Sequence, residues 1–131
     1  MILKLRSLLL IGFAVCLLSA NFCLAQTAAR KKRLRSPATV RGFVGGESMD
    51  NFVIHARKGQ TMTVRITWRK EENNTANFSV SPDSESDSQA LPGEQSDNGR
   101  RWSGKIPKTG DYLITVTAQP SAHYTLRVTL R

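Results

Sequence analysis

Cysteine is scarce in this 131-residue chain: there are two, Cys16 and Cys23, and both fall within the first 25 residues. Histidine is equally rare, with His55 and His123 alone. A single long apolar run exists, residues 8–18 (LLLIGFAVCLL), eleven residues in length. Acids are outnumbered, 10 against 19 Lys and Arg, for a net charge of +9. No stretch carries apolar residues at the helical period, and no segment repeats another.

Each shortage excludes something. Eleven helical residues reach about 16 Å, roughly half of the ~30 Å hydrocarbon core, so the apolar run does not read as a membrane span. Extending it through Ala29 would bury Asn21 and Gln26 and leave the following basic run outside, against the positive-inside tendency. With Lys4 and Arg6 ahead of it and the small-residue ending Cys23-Leu24-Ala25 behind, residues 1–25 read as a secretory signal peptide cut between Ala25 and Gln26. Neither cysteine follows the small-residue pattern of lipid attachment. Cleavage takes away both cysteines, leaving residues 26–131 with 17 basic and 10 acidic residues, a net +7. The expected protein is periplasmic or secreted and stabilised by its core alone, since a domain of about 100 residues can bury roughly 60–70% of its unfolded surface.

Catalytic chemistry finds little material. Beyond the leader there is no cysteine nucleophile, and no Gly-x-Ser-x-Gly elbow occurs. His55 falls on a polar strand parity and His123 at the start of a strand, both surface positions rather than general bases. Asp83, Glu85, Asp87 and Glu94 stand at the offsets of EF-hand ligands. Ser88, however, takes the place of the turn glycine, Pro92 intrudes, and flanking helices are missing, so residues 82–99 read as a solvated acidic loop. The expectation is no enzyme, no cofactor and no metal. The block Arg30, Lys31, Lys32, Arg33 and Arg35 makes residues 26–38 a flexible basic arm, a candidate electrostatic tether to an anionic membrane surface or polymer. Nucleic acid is a poor partner for an exported chain. Phe52, Trp68, Trp102, Tyr112 and Tyr124 all fall on apolar parities, leaving no aromatic surface for stacked bases.

Residues 39–131 instead carry period-two alternation. Val40, Gly42 and Val44 share one face, then Phe52, Ile54 and Ala56, then Met62, Val64, Ile66 and Trp68. Phe78 and Val80, Trp102 and Ile106, Tyr112, Ile114 and Val116, and Tyr124, Leu126, Val128 and Leu130 complete the set. Such runs, rich in Thr, Val and Ile and bounded by Gly, Pro and Asn, predict strands. Seven or eight strands with one apolar face each need a second sheet, which predicts an all-β, antiparallel, jelly-roll-like β-sandwich, with a barrel as the alternative.

The segments ATVRGFV, DNFVIHARKGQTMTVRITW, RWSGKIPKTGDYLITV and HYTLRVTL, in that order, resemble two related groups. One is the bacterial pre-peptidase C-terminal domain, a non-catalytic β-sandwich attached to secreted proteases. The other is the family of periplasmic inhibitors of g-type lysozyme. Because no catalytic domain precedes this one, the resemblance leans towards the inhibitors. It implies a binding protein in which a Ser-Gly-x-Tyr loop enters the lysozyme cleft, matched here by Thr109, Gly110, Asp111 and Tyr112 with Thr in place of Ser. The alternative is a polysaccharide- or cell-surface-binding module. Tyr112 also shares the parity of Ile114 and Val116, so its ring can equally belong to the core. The partner and the oligomeric state stay open at this point.

Overall fold

Strands form where the alternation is, because each alternating segment has one apolar side to bury. The computed structural model describes residues 30–131, and the expected signal peptide of residues 1–25 lies outside them. Nine strands are found among the described residues: β1 (Lys31–Leu34), β2 (Ala38–Gly45), β3 (Asp50–Ala56), β4 (Thr61–Trp68), β5 (Thr75–Pro82), β6 (Glu94–Ser96), β7 (Arg101–Lys105), β8 (Gly110–Gln119) and β9 (Ser121–Leu130). They build two facing sheets, one of four strands in the order β1-β3-β8-β5 and one of five in the order β2-β9-β4-β7-β6. The all-β sandwich expected from the alternation is the fold found. Every pairing is antiparallel except β1 with β3.

The core lies between the sheets and is made from the apolar parities. Met62, Val64 and Ile66 of β4, Ile114 and Val116 of β8, and Leu126 and Val128 of β9 are fully enclosed. Two ten-residue strands from different sheets, β8 and β9, follow one another with only Pro120 between them, so the chain changes sheet at a sharp corner. Asn74 pins the β4–β5 turn beside it. Its side chain donates to the Arg69 and Ser121 carbonyls at 3.0 and 3.3 Å and accepts from the Glu71 amide at 2.8 Å.

Two segments depart from the sequence reading. The expected flexible basic arm, residues 26–38, contains a strand. Leu34 is its one apolar side chain and is buried in the core, which draws Lys31–Leu34 alongside β3. Ser36 secures the exit, its hydroxyl accepting from the Leu130 amide at 2.8 Å. The acidic stretch 82–99 is anchored in its second half. The Leu91 amide donates to the Val80 carbonyl at 2.9 Å, and Glu94–Ser96 pairs with β7. Gly93 lies so close against the Trp102 indole that a Cβ there would stand 2.2 Å from its nitrogen.

Ile66 and its neighbour Thr67 face opposite sides of one strand, which gives a direct check on this parity. Ile66→Ala should cost about 2–5 kcal/mol in urea unfolding, whereas Thr67→Ala should stay within about 0.5 kcal/mol.

Candidate functional site

The connection from β7 to β8, residues 106–109, is held from several directions. Ile106 is buried, its amide donating to the Gln60 carbonyl at 2.8 Å and its carbonyl accepting from the Gly59 amide at 2.9 Å. The Thr109 hydroxyl accepts from the Lys58 amide at 2.9 Å. Tyr112 points inward as its parity requires, and its hydroxyl donates to the Lys108 carbonyl. With the ring enclosed and its one polar atom used to tie down the turn, Tyr112 supports the loop from beneath rather than offering its side chain to a partner. Pro107, Lys108 and Thr109 are exposed, and Gly110 and Asp111 half-exposed. The space where a Gly110 Cβ would point is open.

Asp111 joins this turn to the strands beside it. Its carboxylate accepts from Arg33 of β1 at 3.1 Å and lies 3.0 Å from Nδ1 of His55 on β3, its direct cross-strand partner. The Arg33 hydrogen bond first, and the His55 contact second, hold the Asp111 carboxyl below the ordinary carboxylate range. Lys31 makes the parallel contact to Asp83 at 2.6 Å. To reach acids beyond β3, both side chains lie across that strand, and Val53, on its outward parity, is correspondingly buried. Of the five candidate tether residues, Lys31 and Arg33 are thus committed to ion pairs, whereas Arg30, Lys32 and Arg35 point into solvent.

Among the described residues no hydroxyl is hydrogen-bonded to His55, so its pairing with Asp111 lacks a nucleophile, and no group of three or more His, Cys, Asp or Glu is gathered where it could hold a metal ion. A shallow cleft runs beside the turn, bordered by Asp83, Ser84 and Asp87 on one side and Lys108 and Thr109 on the other. Elsewhere on the surface lie two aromatic side chains, one expected on an apolar parity and one given no role by the sequence. Trp68, at the end of its strand, is only half-buried, and the Arg100 guanidinium stacks on it at 4.5 Å. Phe43 is exposed and packs its ring 4.6 Å from that of His123. The parity of Phe43, opposite to Gly42 and Val44, was the signal available for it.

A carboxyl whose folded pKa is depressed stabilises the fold above its unfolded value, near 4, and loses that contribution as pH falls through the folded value. The stability difference between the wild type and Asp111→Asn should therefore be greatest at neutral pH and shrink below about pH 4 in paired urea titrations. Arg33→Ala should move the Asp111 carboxyl resonance midpoint upward in an NMR pH titration.

No protein-family model matches the chain, and no curated protein does. Solved structures do. A periplasmic lysozyme inhibitor of g-type lysozyme from Aeromonas hydrophila superposes with a TM-score of 0.62 at 25% identity, covering 77% of this chain and 96% of its own. The corresponding inhibitor from Salmonella Typhimurium gives a TM-score of 0.57 at 20% identity, over 79% of this chain and all of its own. The pre-peptidase C-terminal domain of a Bacillus anthracis collagenase gives 0.61 at 18% identity, over 79% and 99%. The chain is therefore similar in structure to both groups that its strand order and turn residues resemble, and shares their β-sandwich fold.

Proposed function

We propose that this protein is an exported, non-enzymatic binding protein that inhibits a g-type lysozyme in the periplasm, presenting the turn at Lys108, Thr109, Gly110 and Asp111 to the enzyme's cleft. The observation that carries the reading is the braced, outward turn at Thr109 and Gly110, the segment whose resemblance to the inhibitors' Ser-Gly-x-Tyr loop suggested it, in a chain that covers 96% of one such inhibitor. A turn fixed from beneath loses little conformational freedom on docking, which favours affinity. Thr109 uses its oxygen as an acceptor from Lys58 and keeps its O–H free to donate. Glycoside hydrolases work through carboxyl pairs, so a cleft of that kind offers acceptors for this hydroxyl and for the Lys108 ammonium. Gly110 lets the enzyme's surface approach the backbone, and Tyr112 acts through the position of the turn.

The leader at residues 1–25 delivers the chain across the membrane in this reading, and Arg30, Lys32 and Arg35 supply a weak contact with an anionic membrane surface.

The test is a lysis assay with protein lacking residues 1–25 added to g-, c- and i-type lysozymes. Protection against the g-type enzyme alone is expected, and its absence at micromolar protein sinks the reading. Tyr112→Ala is a poor probe, because removing a buried aromatic costs about 3–5 kcal/mol of fold stability. Gly110→Arg is better placed, since its side chain enters open space. It should leave the melting temperature within a few degrees and weaken inhibition by at least about tenfold, the scale of a disrupted central contact.

A further inference from the structure

The outward parity of the five-stranded sheet carries an unbalanced row of charge. Register places Arg127 of β9 directly opposite Arg65 of β4, and Arg65 directly opposite Arg101 of β7. Three guanidinium side chains therefore start from adjacent strands at intervals of about 4.8 Å, on one face. Like charges directly opposed across strands destabilise a sheet. Little within the described residues offsets them: Asp97 reaches Arg65 at 3.5 Å, with both side chains about half exposed, and neither Arg127 nor Arg101 has a carboxylate within bonding distance. Arg41, one row away on β2, adds a fourth exposed guanidinium bordering the same shallow groove as Arg65 and Arg127.

The rows on either side are hydroxyls between β9 and β7, and the second of them ends on β6 in Glu94, an exposed carboxylate opposite Ser103 that makes no ion pair with the arginines. Thr125 and Thr67 are paired across β9 and β4 on one side; Thr129, Thr63 and Ser103 lie across β9, β4 and β7 on the other. No aromatic or aliphatic side chain stands in these three rows between β9 and β7.

We infer that this face binds a linear acidic polysaccharide, laid across the strands along Arg127, Arg65 and Arg101. Carboxylate groups along the polymer meet the guanidiniums, which suit them in bidentate geometry. Sugar hydroxyls between the charges meet the flanking Thr and Ser side chains. Base stacking would need aromatics that the rows lack, and insertion into lipid would need apolar side chains that they also lack. The Arg65–Asp97 contact shows a carboxylate already resting on the row, supplied by the chain itself. The inference uses residues outside the turn at 107–112 and stands whether or not the protein inhibits a lysozyme.

Polygalacturonate, a linear uronic-acid polymer, is the probe. Purified protein lacking residues 1–25 should bind it on an immobilised surface at about 50 mM salt and release it as exposed charges are screened towards 0.5 M. The triple variant R65T/R101T/R127T should weaken binding by at least about tenfold. Its melting temperature should hold or rise, because the opposed charges are gone and Thr suits a strand. Asp97→Asn should tighten binding by removing the internal competitor. The control R30T/K32T/R35T removes as many charges elsewhere and should keep affinity within about twofold, well inside the tenfold loss. Equal loss in the control would reduce the effect to net charge and overturn the inference. So would equal or tighter row-dependent binding to phosphatidylglycerol vesicles or to duplex DNA, or no binding to polygalacturonate.

Discussion

The inner faces of β4, β8 and β9 meet across the interior, and the outward chemistry takes its position from that contact. Period-two geometry leaves no freedom: once Ile114 and Val116 face the core, Tyr112 must face it too and Asp111 must face away. Once Val64, Ile66, Leu126 and Val128 are inside, Arg65 and Arg127 are outside, and pairing of the two strands sets them opposite each other. A one-residue slip would carry every one of these side chains to the wrong face. Burial thus fixes where the polar surface groups stand, although none of them contributes to the core.

The same constraint changes what the basic N-terminal block is. Leu34 gains a core position only if Lys31–Leu34 runs beside β3, and that placement turns Lys31 and Arg33 across the sheet to Asp83 and Asp111. Those pairs are exposed, and exposed pairs contribute little individually. Their consequence is geometric: Asp111 is tied to two neighbouring strands in the same short stretch where Thr109 and Tyr112 fix the turn. A binding loop placed there needs no further ordering when a partner arrives.

Most strands were legible in the sequence because they are two-faced. Met62, Val64 and Ile66 against Thr61, Thr63 and Arg65 announce a half-buried strand with no further information. β1 and β6 were not legible, for a physical reason: each is too short to alternate. β1 is recruited by one leucine, and β6, three exposed residues, forms because Leu91 and Gly93 bring the chain against Val80 and Trp102. The turn at Thr109 and Gly110 was legible as a turn. That Tyr112 braces it from below depended on parity, which the sequence also carried. The arginine row was illegible in a stronger sense. Arg65, Arg101 and Arg127 could each be assigned to an outward parity, but their alignment is a matter of register between strands more than thirty residues apart.

Net charge alone therefore says little about what this surface attracts. The positive balance of residues 26–131 is divided between cations that meet a carboxylate in the same chain and cations that do not. Around Asp111 the charges close on one another, and the exposed character of the turn comes from Lys108 and Thr109. On the five-stranded sheet the acidic stretch 82–99 forms the edge strand β6, with Glu94 opposite Ser103, and pairs with one arginine of the row, Arg65, through the turn that Asp97, Asn98 and Gly99 make with positive φ angles. Of the acids in that stretch, Asp83 is held against Lys31 on the other sheet, and Glu94 on β6 stands one row from Arg101 without an ion pair to it. One charge-compensated surface and one net-positive surface follow from an acidic segment whose ends are anchored to different sheets.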